Sequence, residues 1–144
     1  MAEPTLYLFD GHNLFHAGGY EDARRLRDEL ASFVALKGAR GVLVFDGVGT
    51  DASYGPLEVR YAQHADPVLE RLAAENRDSE VVCLVSSDTA VRGASGQDVQ
   101  KRSSAGFLGE MEATVHREGR PRHLRDALDP ATRDALERLR RGER

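Results

Sequence analysis

Short apolar runs alternate along this chain with longer stretches in which apolar residues return every three or four positions. The runs Thr5–Phe9, Gly41–Phe45 and Val81–Val85 read as buried strands, the last apolar throughout and rich in β-branched valine. Leu57–Tyr61 is a further strand in which Glu58 and Arg60 alternate with apolar residues, the pattern of an edge strand. From about Glu21 to Lys37, Leu26, Leu30, Phe33 and Val34 recur at helical spacing, and Gly38 is a stop signal. Ala65–Asn76 is helical, with Val68, Leu69, Leu72 and Ala73 on one face. A short helix is expected after Ser87, around Thr89–Ala94, then a polar fifth strand over Asp98–Ser103. A helix over Ala105–Val115 carries Phe107, Leu108, Met111 and Val115. A last helix opens at Asp129-Pro130, an N-cap followed by Pro at the first helical position, and closes near Gly142. Strands alternating with helices predict right-handed crossovers and a parallel sheet covered on both faces, a three-layer α/β/α sandwich.

The length of 144 residues suits one domain over 1–144, with a basic C-terminal helical segment at about 117–144. The lone Cys83 excludes an internal disulfide and any zinc ribbon, and reads as a small core residue. No apolar run approaches the roughly 18 residues of a membrane span. The first residues lack the basic stretch of a secretory signal, so a cytoplasmic location is expected. The net charge of −4 is unevenly spread: residues 1–98 hold 16 acidic and 9 basic side chains, residues 99–144 hold 8 and 11. That distribution excludes binding of nucleic acid over the whole surface and leaves local binding open.

The acids fall where chemistry is expected. One strand runs into Asp10-Gly11, another into Asp46-Gly47, and a third into Ser86-Ser87-Asp88. In an open parallel sheet the carboxyl edge of the strands is where ligands bind. Asp66 and Glu70 share one face at the start of a helix that begins at the same edge. Carboxylates gathered without cations raise one another's pKa. The cluster makes sense if it holds Mg²⁺ or Mn²⁺, hard cations that take oxygen ligands and leave room for a substrate phosphate. One or two such ions activate water for in-line attack on phosphorus. With no His at the strand ends, zinc is less favoured.

Each residue has a plainer reading. Asp10-Gly11 and Asp46-Gly47 match the dipeptide of tight hairpin turns. Asp66 before Pro67, and Asp88 before Thr89, read equally as helix caps. Glu70 could pair with an arginine, and Ser86 or Ser87 could cap the next helix instead of contacting phosphate. Asn13 could hydrogen-bond a ligand carboxylate and orient it. His12, His16 and His64 lie near these acids in sequence, as general acids or as ordinary surface histidines. There is no phosphate loop, no dinucleotide glycine motif and no G-x-S-x-G elbow, which leaves NTPase, dehydrogenase and α/β-hydrolase readings unsupported.

In this order, Asp10-Gly11-His12-Asn13-Leu14, Val44-Phe45-Asp46-Gly47, Ala65-Asp66-Pro67-Val68-Leu69-Glu70 and Val85-Ser86-Ser87-Asp88 resemble the YacP-like group of NYN domains, within the PIN-like nuclease superfamily. The resemblance spans roughly residues 5–116 and implies a metal-dependent endoribonuclease using Mg²⁺ or Mn²⁺. It implies strand order 3-2-1-4-5, with the first and fourth strands side by side. Carried over by motif, Asp10, Asp66 and Asp88 resemble the metal-binding, catalytic set, with Asn13 orienting it and Asp46 and Glu70 in support. RNA is the implied partner, free or on a ribosome. His12 stands where a tyrosine is more usual. The segment Arg117–Arg144 is not covered by the motifs.

Ser86, Ser87 and Arg102 are candidates for holding the RNA backbone, with Arg117, Arg120, Arg122 and Arg125, and Tyr54 or Phe15 for stacking a base. Two other functions compete. A non-catalytic RNA- or protein-binding module would keep the fold without the chemistry. A phospho-accepting switch domain also gathers acids at a sheet edge, but needs an acidic pair beside the first strand, where this chain has Gly11, His12 and Asn13.

Overall fold

A computed structural model describes residues 2–88 and 98–118, with side chains to residue 115. In chain order the elements are β1 (Leu6–Asp10), α1 (Gly11–Ala17), α2 (Ala23–Lys37), β2 (Arg40–Asp46), β3 (Ala52–Tyr54), β4 (Leu57–Ala62), α3 (Ala65–Asn76), β5 (Val82–Val85), β6 (Gln100–Arg102) and α4 (Ser104–Glu118). The helices expected after Ser87 and from Asp129 to Gly142, and the side chains of Arg117, Arg120, Arg122 and Arg125, lie outside the described residues.

The six strands form one sheet in the order β3-β4-β2-β1-β5-β6. Five of them run parallel, in the expected order. The sixth, β3, is an addition: it pairs antiparallel with β4, so that β4 is not the outermost strand. The hairpin turns at Gly55, whose φ of 63° a residue with a side chain rarely adopts. Three residues are too few to show an alternation, which is why β3 left no mark on the apolar pattern.

Successive side chains of a strand point to opposite faces. Tyr7, Phe9, Leu43, Phe45, Leu57, Val59, Cys83 and Val85 face α1, α2 and α4, where Leu14, Leu26, Leu30, Phe33, Val34, Phe107 and Met111 complete one core. Leu6, Leu8, Val42, Val44, Val82 and Leu84 face α3 and pack on Ala65, Leu69, Leu72 and Ala73. The sandwich is therefore three layers deep. Helix α2 starts where the Asp22 carboxylate accepts the Arg24 N–H at 2.8 Å and stops at Gly38 in the left-handed conformation. No helix among the described residues is long and apolar enough to cross a membrane.

Candidate active site

Parallel strands place their last residues along one edge. Asp10 is level with Val44, and Asp46 with Ala62 on β4. Beyond β5, the Ser86 hydroxyl donates to Asp10 Oδ2 at 2.9 Å, and the Asp88 N–H donates to Ser86 Oγ at 3.0 Å. Asp10 also caps α1, accepting the Asn13 N–H at 3.4 Å. The strand therefore enters α1 directly, and no hairpin turn follows Asp10. Gly11 is required by contact: a Cβ there would lie 2.6 Å from the Phe45 ring and 2.9 Å from the Val44 carbonyl oxygen. Gly47, with φ 117°, is required by backbone conformation instead.

Asp46 leaves β2 and accepts the Ala65 N–H at 2.7 Å, the first residue of α3. This corrects the reading of Asp66 as the cap. His64 occupies the cap position without a side-chain hydrogen bond, Asp46 satisfies the Ala65 N–H from 19 residues away, and Asp66 sits inside the first turn. Pro67 fits there because the first-turn N–H groups have no helical partner to lose.

The acids act on one another. Burial pushes the Asp66 carboxyl up to about 6, helped by the charges of Asp88, Asp10 and Asp46 and by a hydrogen bond shared with the Asp88 side chain. Asp10, only 6% exposed, is also raised, first by burial and further by Asp46 and Asp88, while the bonds from Ser86 and Asn13 offset part of the rise. Among the described residues no Lys or Arg forms an ion pair with Asp10, Asp46 or Asp66. Carboxylate oxygens such as these are hard donors, the kind that a divalent ion takes. As they stand, no three His, Cys, Asp or Glu side chains among the described residues are grouped closely enough to hold a metal.

Not every expected residue joins this edge. Glu70 is half-buried one turn beyond Asp66 and forms no hydrogen bond or ion pair among the described residues. Arg102 ends β6 beside the site, its carbonyl accepting the Ser86 N–H at 3.0 Å, but its guanidinium pairs with Glu110. Tyr54 is level with Leu57, which pairs with Gly41 near the amino end of β2. That puts it roughly 16 Å along the strands from the acids, at about 3.3 Å per residue. Arg27 stacks on its ring at 4.2 Å. Phe15 is partly buried against the core. His12 and His16 are exposed on α1, their rings 5.4 Å apart.

One residue was missed. Ser104, at the start of α4, is fully buried, donates its hydroxyl to Asn13 Oδ1 and its N–H to Ser87 Oγ at 3.0 Å. Its only signal in the sequence is its place just past the carboxyl end of a parallel strand, the position that singled out the aspartates.

The chain matches the model of the YacP-like NYN domain over residues 8–141. It belongs to the YacP-like NYN domain family. Two crystal structures of Rae1 (YacP) from Bacillus subtilis, one of a point mutant, are similar to it, each with a TM-score of 0.65, 27% identity and 95% of both chains covered. No curated protein matches the chain. As a YacP-like NYN domain it has the PIN-like nuclease fold, and the family places it among ribonucleases that are in general metal-dependent.

Proposed function

We propose that this chain is an endoribonuclease that hydrolyses RNA phosphodiester bonds with Mg²⁺ or Mn²⁺ at the carboxyl edge of its sheet. The observation that carries this reading is the gathering of Asp10, Asp46 and Asp88 around Asp66, three acids from separate segments whose charges oppose its ionisation. Asp10, Asp66 and Asp88 would hold the ion, with Glu70 one turn away. Asp46 supports them by tying the start of α3 to the end of β2. When bound, the divalent ion supplies charge stabilisation at phosphorus and a more acidic water.

The chain's own groups divide the remaining work. Asp66 or Asp88 would help to take the proton of the attacking water. The Ser86 hydroxyl is committed to Asp10 and holds that carboxylate in place. The exposed Ser87 accepts the Ser104 N–H at its Oγ, so its own hydroxyl proton is available to a phosphate oxygen. Arg102 reaches the RNA backbone only by exchanging Glu110 for phosphate. Tyr54, at the far end of the sheet, takes no part at this edge.

The test is cleavage of RNA by the purified protein with and without divalent ions, beside Asp10→Asn and Asp88→Asn. Mg²⁺- or Mn²⁺-dependent cleavage is expected, lowered by roughly two orders of magnitude in either variant. Equal rates in all three proteins would reject the assignment. RNA binding that persists in EDTA, with no cleavage under any divalent ion, would mark a binding module instead.

A further inference from the structure

A side-chain amide has two ends of opposite character, an oxygen that accepts and an NH₂ that donates. At Asn13 the fold decides which end is engaged. Its Oδ1 accepts the Ser87 N–H at 2.8 Å and the Ser104 hydroxyl. A backbone N–H only donates, so the oxygen must be the end that faces Ser87. Two donors fill the two lone-pair directions of that oxygen and leave none for a cation. Ser104 is fully buried, and its N–H holds Ser87 Oγ at 3.0 Å. Asn13, Ser87 and Ser104 come from α1, the end of β5 and the start of α4, so this small network joins three segments beside Asp10 and Asp88.

Resting on the nuclease reading above, we propose that Ser104 is a positioning residue that locks the Asn13 amide, so that Asn13 offers its NH₂ to a phosphate oxygen of the RNA and is not a cation ligand. A donor of this kind favours a phosphoryl oxygen that gains charge as the bond to the attacking water forms. Ser104 touches neither RNA nor ion. It acts only by denying the amide its flipped orientation.

Two variants separate donor from ligand. Asn13→Asp keeps an oxygen for Ser87 and Ser104 and loses the NH₂. The expected result is a fall in kcat of roughly 10–100-fold with little change in KM. Activity at saturating Mg²⁺ equal to or above that of the unmodified protein would overturn the proposal, since an aspartate would serve a cation at least as well. Ser104→Ala is expected to lower kcat about 10-fold in the unmodified background and to have no further effect on Asn13→Ala, because the two act through one amide. Independent, additive losses would refute the coupling. If Ser104→Ala does not fold, Ser104→Cys, close in size and a weaker donor, takes its place in the cycle.

A readout that needs no catalysis keeps this apart from the nuclease reading. In ¹⁵N–¹H spectra of the metal-free protein, the Asn13 NH₂ pair, assigned by its loss in Asn13→Asp, should move in Ser104→Ala. An unmoved pair means that Ser104 does not hold Asn13. A wholly inactive parent protein with a moved pair would sink the nuclease reading and leave the Ser104–Asn13 link standing.

Discussion

The Asp66 carboxyl is one group through which pH reaches this site. It titrates at about 6 in the folded protein against 3.8 for an unperturbed aspartate, because burial and then Asp88, Asp10 and Asp46 oppose its charge. The folded state thus binds this proton more tightly than the unfolded chain does. The stability that results is complete below about pH 4 and is lost as pH rises through 6. Asp66→Asn should therefore flatten this part of the stability profile and raise the Tm of the metal-free protein at pH 7.5. Because the side chain is partly exposed and screened by water, the gain is about 1 kcal/mol. Thermal melts in EDTA from pH 4 to 8 measure it, and a variant no more stable than its parent at pH 7.5 would show that the acids do not crowd. Asp10, Asp46 and Asp88 were legible because each ends or follows an apolar run. Asp66 was legible as a candidate yet not separable from a cap, because the true capping group, Asp46, arrives from another strand. Ser104 was illegible for the same reason: its partner Asn13 lies 91 positions earlier.

Among the elements, those with a repeating apolar pattern were readable and the short ones were not. Helix α2 buries Leu26, Leu30, Phe33 and Val34, enough to display its period. Helix α1 buries only Gly11 and Leu14 over seven residues, so nothing repeats. What creates α1 is the Asp10 cap and the tight passage of Gly11 beneath Phe45. Gly11→Ala should cost about 1–3 kcal/mol, because its methyl group meets both a ring and a backbone carbonyl and the backbone has to shift. Urea denaturation of the variant measures this. A loss no larger than that of an exposed substitution would mean that the β1–α1 junction is loose. The same substitution tilts α1, and with it Asn13, so the loss of activity should exceed the loss of folded protein.

Over the molecule as a whole, the face of the sheet opposite α3 is held by aromatic packing. Phe107 of α4 lies 4.9 Å from the Phe33 ring and 5.2 Å from that of Phe9, with Tyr7 at 6.1 Å. Burial there pushes Cys83 up to about 12, so its thiol stays neutral and inert. Phe107 joins α2, the central strand and the helix that begins at Ser104. Phe107→Ala should cost roughly 3–5 kcal/mol by urea denaturation, the range for emptying a packed aromatic site. A cost below about 1 kcal/mol would show that α4 is held to the sheet by other contacts.

What the chain determines by itself is whatever depends on near neighbours: the alternation of strands with helices, the parallel sheet and its layers, and the aspartates that apolar runs deliver to a carboxyl edge. These follow from periodicity and from the handedness of crossovers, both properties of consecutive residues. Tertiary structure alone decided that Asp46 caps α3 and frees Asp66, that Tyr54 lies at the far end of the sheet, and that Ser104 grips Asn13. Each of these is a meeting of groups 19 or more positions apart or a consequence of strand register, and a hydrogen bond or a carboxyl pKa depends on distance in space, of which sequence separation is no measure.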